Sequence, residues 1–338
     1  MEVFSIAVLL FSFLLLLSLG TPVAWSIIIS SLFTLLVSVP FLPALTTISQ
    51  RMATGIDSFA LLAIPFFILS GELMNKGGVA HRLVAFAKAL VGFLPGGLAL
   101  INVISAMLMG SVAGSAMASA SAMGSILGPE MEKEGYSKGF GVAINITSAT
   151  TGLVIPPSNI LIVYSLASGG ASIAALFLAG YIPGILTGLF LMAVAMIWAK
   201  KKNFKTGKRA PLKTVFSSFV RAFPSLMLLF VVIGGIVSGV FTATEASAIA
   251  VIYTLVLGFV YKEITFKTLP TILLKSSTTT AIVMFLIGAS MSMSWVLSYE
   301  NIPEMISSGI LSLSDNKIVI LLLINFTLLF VGIFMDMT

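Results

Sequence analysis

Two short stretches hold the residues with chemistry to offer. One is Gly110-Ser111-Val112-Ala113-Gly114-Ser115. The other is Thr150-Thr151-Gly152-Leu153-Val154-Ile155-Pro156-Pro157-Ser158-Asn159. Both interrupt apolar sequence with residues that break helices or expose backbone. In hydrocarbon an unsatisfied N–H or C=O costs several kcal/mol, so irregular backbone survives only where it is buried or lines a cavity. Pro156 and Pro157 lack N–H groups, so carbonyls about one turn earlier lose their helical donors. Such carbonyls, with the nearby hydroxyls, are oxygen ligands for a cation. Two interruptions this close together are the expected sign of a transport site built from broken helices.

The composition excludes most catalytic chemistry. The chain has 338 residues, 58% hydrophobic and 9% charged, with mean hydropathy +1.14. That balance is the signature of a polytopic helical membrane protein. There is no Cys and one His, so thiolate metal sites, disulfides and a His-based triad are excluded or disfavoured. No Ser–His, paired Asp or metal constellation lies within the spans, which argues against an intramembrane enzyme. No ring of pore-lining charge argues for a channel. The N-terminal apolar run has Glu2 before it and no basic region, so it reads as a first span and not a cleaved signal.

The elements that must position the two stretches follow in order. Spans are expected over residues 3–19, 23–39 and 58–74, with Asp57 near the N-terminal cap of the third and a mixed connection over 40–56. His81, Arg82 and Lys88 alternate with apolar residues over 79–92, giving a short interfacial amphipathic helix. Two short helices, 98–109 and 116–127, flank Gly110–Ser115. Each is about half a membrane span at 1.5 Å per residue, so they read as a re-entrant hairpin. Half helices over 140–149 and 159–167, separated by a break over 152–157, make one discontinuous span. Further spans cover 173–199, 220–240, 246–261 and 278–297. Thr242-Ala243-Thr244-Glu245 fits a capping box. A second amphipathic piece covers 302–313.

Charge sets the expected sidedness. Seven of the 18 Lys and Arg lie between Lys200 and Lys213, which marks a cytoplasmic loop that meets anionic lipid and not a nucleic-acid site. Counting spans from there leaves only Arg51 and Lys317 outside. The amphipathic piece with His81 is then cytoplasmic, and the one flanked by Glu300, Glu304 and Asp315 is external. This gives an inverted repeat of span, amphipathic arm, hairpin and broken helix. Ile101-Asn102-Val103 matches Ile324-Asn325-Phe326, and Gly110 falls near Gly332. The regions are scaffold helices (1–57), a first repeat (58–199), a cytoplasmic loop with scaffold helices (200–277) and the start of a second repeat (278–338). By symmetry the second repeat runs roughly 80–90 residues beyond Thr338, so a truncated C-terminus is expected.

Several motifs in this order resemble the large membrane (M) subunit of TRAP (tripartite ATP-independent periplasmic) transporters. They are the run from Gly55 to Phe67, Gly71-Glu72-Leu73-Met74, Gly114-Ser115-Ala116, Ile155-Pro156-Pro157-Ser158 and the run from Gly239 to Ala246. The resemblance covers essentially the whole chain. Ser119 stands where the family often carries an Asp in the second hairpin arm. The resemblance implies an all-α, inverted-repeat, elevator-type transporter with re-entrant hairpins and discontinuous helices. It implies Na⁺-coupled import of an organic acid, with no other cofactor, as a multi-pass protein of a bacterial inner membrane. The acid is expected to be sialic acid, another sugar acid or a C4-dicarboxylate. Two partners are implied besides the phospholipid bilayer: a small membrane (Q) subunit and a periplasmic substrate-binding (P) protein. A single-component Na⁺/carboxylate symporter of similar architecture is the alternative.

Within that reading, Na⁺ falls to hydroxyls and carbonyls of Ser111, Gly114, Ser115, Thr150, Gly152 and Val154. The half-helix N-termini at Ser115 and Ser158 suit a carboxylate. Substrate contacts are expected from Ser115, Asn145, Pro156, Pro157, Ser158 and Asn159. Asn145 either faces the site or bonds a neighbouring helix. Asp336 is the candidate for a second site. The plain alternative for the small residues is close helix packing.

Overall fold

Every regular element among the described residues is helical. The computed structural model describes residues 2–202, 204, 206–207, 209–314 and 316–332. Asp336 lies outside them, as does Asp315. In chain order the helices are α1 (Glu2–Ser18), α2 (Val23–Leu35) and α3 (Phe41–Gly55), then α4 (Ala63–Lys76) and α5 (Val79–Val91). The central group is α6 (Gly97–Ala113), α7 (Ala116–Lys133), α8 (Lys138–Ala149), α9 (Thr151–Val154), α10 (Asn159–Ala167) and α11 (Ile173–Lys201). The last are α12 (Leu212–Val237), α13 (Ala243–Val260), α14 (Leu269–Tyr299), α15 (Ile302–Leu313) and α16 (Lys317–Gly332). A 3₁₀ turn, Phe59–Leu62, leads into α4. Residues 59–76 and helices α11, α12, α13 and α14 are each long and apolar enough to cross a membrane. The pair α8–α9 and α10, bent by 52° at its break, makes a sixth such segment.

Several boundaries differ from the sequence reading, each for a local reason. Residues 40–56 are a helix, α3, started by Pro40 and Pro43 and packed through Ala44 and Ile48. Proline suits a first helical turn, where its missing N–H has no partner to lose. Asp57 caps nothing: α4 follows Leu62 without a side-chain bond. The hairpin arms are longer than half spans. α6 continues through Gly110 and Ser111, and α7 continues past Gly128-Pro129 to Lys133. A mid-helix proline costs about 3 kcal/mol, so packing must hold this end in place. Met131 and Tyr136 do so, each buried against Ala99, Leu100 and Val103 of α6. The discontinuous span is helical through Gly152 to Val154, so its break covers only residues 155–158.

The chain divides into two compact units, Met1–Ser58 with Ala281–Thr338, and Phe59–Thr280. The first is a helical cluster. Gly20, at φ +78°, turns α1 into α2, a conformation that costs glycine no Cβ strain. Phe13, Ile27 and Ala289 form one core, and Leu35, Ala44, Ile48 and Val296 another. The Arg51 guanidinium lies 4.8 Å from the Trp295 ring centre, and Ser38 donates to the buried Glu300 at 3.1 Å. α15 and α16 present mostly exposed apolar side chains.

The second unit holds the hairpin. α4 packs along α13, joined at one end by Thr244 Oγ1 donating to the Phe59 carbonyl at 2.8 Å. The capping box forms as expected, with Thr242 and Glu245 bonding reciprocally. α6 is the hub: α5, α7, α8, α9 and α11 all pack on it. Lipid tails are as apolar as leucine, so such packing depends on close backbone approach and interhelical hydrogen bonds. Glycines supply the first. Gly180, Gly184 and Gly188 recur every fourth residue on α11, opposite Val154, Ile155 and Met107.

Candidate functional site

The two interrupted stretches meet. α6 ends at Gly114, whose φ of +60° is the left-handed conformation, with its N–H bonded to the Gly110 carbonyl at 2.8 Å. Ser115 is extended and caps α7, its Oγ accepting from the Ala118 N–H at 3.3 Å. The whole tip is therefore two residues. A Cβ on Gly114 would stand 3.1 Å from the Pro157 carbonyl oxygen and 3.7 Å from both the backbone nitrogen and Nδ2 of Asn159. The hairpin tip thus sits on the break of the discontinuous span.

One turn back, the backbones touch. A Cβ on Gly110 would overlap the Cα of Gly152, and one on Gly152 would stand 2.5 Å from the Cα of Gly110. On the other side of the break, a Cβ on Gly180 would overlap the Val154 carbonyl oxygen. Glycine at these places is required by close approach, not by φ. Gly110 and Gly152 stand in the stretches expected to break helices; both stay helical and pack closely, the alternative given for the small residues. Gly180 carries no signal except its four-residue spacing from Gly184.

The break is partly repaired from within. Pro157 cannot donate to the Leu153 carbonyl, and the Ser158 hydroxyl takes that place. The same Ser158 Oγ accepts from the Leu161 N–H at 3.5 Å, capping α10. Ser158 is fully buried. The Gly152 carbonyl has proline four residues on and receives no backbone donor among the described residues; nor does that of Val154. Asn159 Oδ1 is buried and has no hydrogen-bond partner. Buried acceptors without donors are costly, so the carbonyl of buried Gly152 and the Asn159 amide oxygen are places for a cation or a donor to bind, while the half-buried Val154 carbonyl faces Gly180 of α11. The junction therefore offers carbonyls, an amide oxygen and two capping serines, a set suited to a hard cation.

The remaining expected residues divide. Ser111 Oγ donates to the Leu108 carbonyl at 2.9 Å and Thr150 Oγ1 to the Thr147 carbonyl at 2.7 Å. Each hydroxyl keeps lone pairs for a ligand. Thr150 is exposed, while Ser111 is buried. Asn145 bonds neighbouring helices. Its Nδ2 donates to the Ala120 carbonyl of α7 at 2.8 Å, and its Oδ1 accepts from Asn102 Nδ2 of α6 at 3.4 Å. Ser148 Oγ completes the set by donating to Asn102 Oδ1 at 2.8 Å. Ser119, also fully buried, donates to the Ala106 carbonyl across the hairpin at 3.3 Å. The participation of Asn102 and Ser148 went unread. A helical spacing signal was available, because Asn145 and Ser148 are three apart on one face of α8.

Outside the junction, charge is sparse. Glu72 Oε1 lies 2.9 Å from Lys275 Nζ, and its Oε2 is buried without a partner. No cluster of three metal-binding side chains exists among the described residues. Near the α7–α8 turn, burial raises the pKa of Tyr136, opposed by a hydrogen bond from the Leu98 backbone at the start of α6. The Tyr136 and Phe204 rings lie 4.1 Å apart between centres, so residues of the Lys200–Lys213 loop rest on the hairpin base.

Sequence comparison agrees with this architecture. Residues 10–338 match the family described as tripartite ATP-independent periplasmic transporter, DctM component. YgiK of Salmonella typhimurium, described as uncharacterized, is 54% identical over 336 residues, which is 99% of this chain and 77% of that protein. The sialic acid TRAP transporter large permease SiaM of Vibrio cholerae is 38% identical over 97% of this chain and 76% of its own length. The C4-dicarboxylate TRAP transporter large permease DctM of Pseudomonas aeruginosa is 39% identical over 83% of this chain and 66% of its own length. With a fused hairpin and broken helix at its centre and this match over nearly its whole length, the chain belongs to the DctM family of TRAP transporter large permeases, which are membrane transport proteins and not enzymes.

Proposed function

We propose that this chain is the large permease of a Na⁺-coupled importer of an organic acid in a bacterial inner membrane. The observation that carries the reading is the junction of Gly114–Ser115 with Pro156–Asn159, where the buried Asn159 amide oxygen and, one turn earlier, the Gly152 carbonyl lack donors among the described residues. Na⁺ binds there through Gly114, Ser115, Gly152, Val154 and the hydroxyls of Ser111 and Thr150. The carboxylate of the substrate meets the N-termini of α7 and α10 at Ser115 and Ser158, with Asn159 beside them. Pro156 and Pro157 shape the cavity without donating. Residues 58–199 act as the first of two inverted repeats, and the unit that contains them moves as the carrier of an elevator. The substrate arrives on a periplasmic binding protein, and a small membrane subunit completes the assembly.

Identity alone does not select the acid. The sialic acid and C4-dicarboxylate permeases are 38% and 39% identical to this chain. The test is uptake into proteoliposomes containing the chain, its small subunit and its binding protein, with sialic acid and succinate offered separately. Import is expected only under an inward Na⁺ gradient. Equal uptake with K⁺ replacing Na⁺ overturns the coupling, and uptake without the binding protein overturns the three-part assembly.

A further inference from the structure

We infer that Asn102, Asn145 and Ser148, admitted by Gly124, form the lock that fixes the hairpin tip against the break; they are positioning residues for the cation site. The inference rests on the reading of the tip–break junction as a Na⁺ site. Three helices converge on the lock. Asn102 belongs to α6, Asn145 and Ser148 to α8, and the acceptor Ala120 carbonyl to α7. Asn102 and Ser148 are buried to 1% and 0% exposure. The polar groups bond one another across the hairpin and onto the discontinuous span; Ser148 is enclosed there, while Asn102, Asn145 and Gly124 also line a cavity that runs toward Pro129 and Tyr136.

The opening for this lock is a single missing atom. A Cβ on Gly124 would stand 2.9 Å from Asn145 Nδ2, closer than a carbon tolerates beside a bonded amide. Gly124 lies four residues after Ala120, so it clears the path by which Asn145 reaches that carbonyl. The closest approach of hairpin and broken span, Gly110 on Gly152, is backbone against backbone, and the packing of Ile144 on α6 is apolar, so neither supplies a hydrogen bond. Such a contact sets how close the helices come but resists sliding and rotation weakly. The directional bonds of the lock supply that resistance. Asn102 lies in the first half of α6, Asn145 and Ser148 lie near the middle of α8–α9, and the tip and break lie at the ends of the same two segments. Each segment is a stiff lever, so a shift at the lock is passed to the Gly114–Pro157 approach.

The test uses the purified full chain and Na⁺ as the only probe. Melting temperature is followed as NaCl replaces choline chloride at constant ionic strength. This gives a half-saturating NaCl concentration and, separately, a melting temperature in choline alone. Asn145→Ala and Gly124→Ala are each expected to raise the half-saturating concentration about 5-fold, within the range one interhelical hydrogen bond can contribute. The double variant should match Asn145→Ala alone, because alanine at 145 removes the group that a Cβ at 124 strikes. A merely structural role lowers melting in choline and leaves the half-saturating NaCl unchanged; that result overturns the inference, and so do additive effects of the two changes. Ser148→Ala removes one hydroxyl and is expected to shift in the same direction by about 2-fold, which keeps the test decisive where Asn145→Ala does not fold. A wild-type chain that melts alike in NaCl and choline sinks the Na⁺ reading itself, and the lock's role with it, an outcome distinguishable because no variant is involved.

Discussion

α6 and α16 carry the same short motif, Ile-Asn followed by an apolar residue, yet the asparagines meet different fates. Asn102 on α6 is buried and bonds across to α8. Asn325 on α16 is exposed, and its Nδ2 turns back to the Leu321 carbonyl of its own helix at 3.0 Å. Gly110 touches backbone, while Gly332 has nothing within 4 Å among the described residues. The paired positions are those the inverted repeat would align. The comparison teaches that the motif specifies a helix with one polar position. What makes it part of a site is the neighbours: α7, α8, α9 and α11 surround α6, whereas α15 packs on α16.

The largest difference between the two helices is expected at their glycines. Gly110→Ala places a methyl on the Gly152 backbone, which cannot rotate away. Overpacking against flexible side chains costs 1–3 kcal/mol, so about 3 kcal/mol or more is expected here, with loss of Na⁺-stabilised melting. Gly332→Ala meets open space at a helix end and should change stability by less than about 0.5 kcal/mol. Thermal melting of the two purified variants checks both. Equal effects would mean that the hairpin is looser than the backbone contact requires.

The asparagines come next. Asn102→Ala removes two bonds and leaves Ser148 and Asn145 each short of one partner. Interhelical hydrogen bonds in membranes average about 0.6 kcal/mol, so a loss of about 1–2 kcal/mol is expected. Asn325→Ala loses only a bond to its own helix, and its effect should fall within about 0.5 kcal/mol. Chemical or thermal unfolding in detergent ranks them. A larger effect at Asn325 would show that position engaged in contacts comparable to those of Asn102.

Much of this contrast was readable in advance, and the unread part has a physical cause. The helical class follows from long apolar runs, which need no tertiary information. The break at Pro156-Pro157 follows from missing donors, and the Thr242–Glu245 box from a local bond. The tip was drawn too wide because Gly110 and Gly114 look alike in sequence. Only Gly114 has a positive φ; Gly110 stays helical and serves contact instead. Asn145 was left between two roles because its choice depends on Gly124 of another helix, a pairing no local pattern encodes. Gly180 was missed for the same reason: its partner is a carbonyl 26 residues away in the chain.

Ser115→Ala should be milder than Gly110→Ala. It removes the cap of α7, worth about 1 kcal/mol. It also removes a hydroxyl from the tip whose neighbouring Gly114 meets the Pro157 carbonyl, so a rise of about 3-fold in half-saturating NaCl is expected with a modest loss in melting temperature. A drop in melting with no change in Na⁺ response would assign Ser115 to capping alone.

The smallest effect gives the finest comparison. Thr150 and Thr327 are both exposed threonines whose hydroxyls donate to carbonyls of their own helices, Thr147 at 2.7 Å and Leu323 at 2.9 Å. Replacing either with alanine therefore removes the same local bond, worth a few tenths of a kcal/mol in a helix. The stability terms cancel between the two variants. What remains is position: Thr150 is one turn ahead of the break, and Thr327 is on α16. Thr150→Ala is expected to raise half-saturating NaCl by about 2-fold, the loss of one weak oxygen ligand, and Thr327→Ala to leave it unchanged. If the two variants titrate alike, Thr150 belongs to the helix and not to the site, and the cation is held by the carbonyls of the break and the tip serine alone.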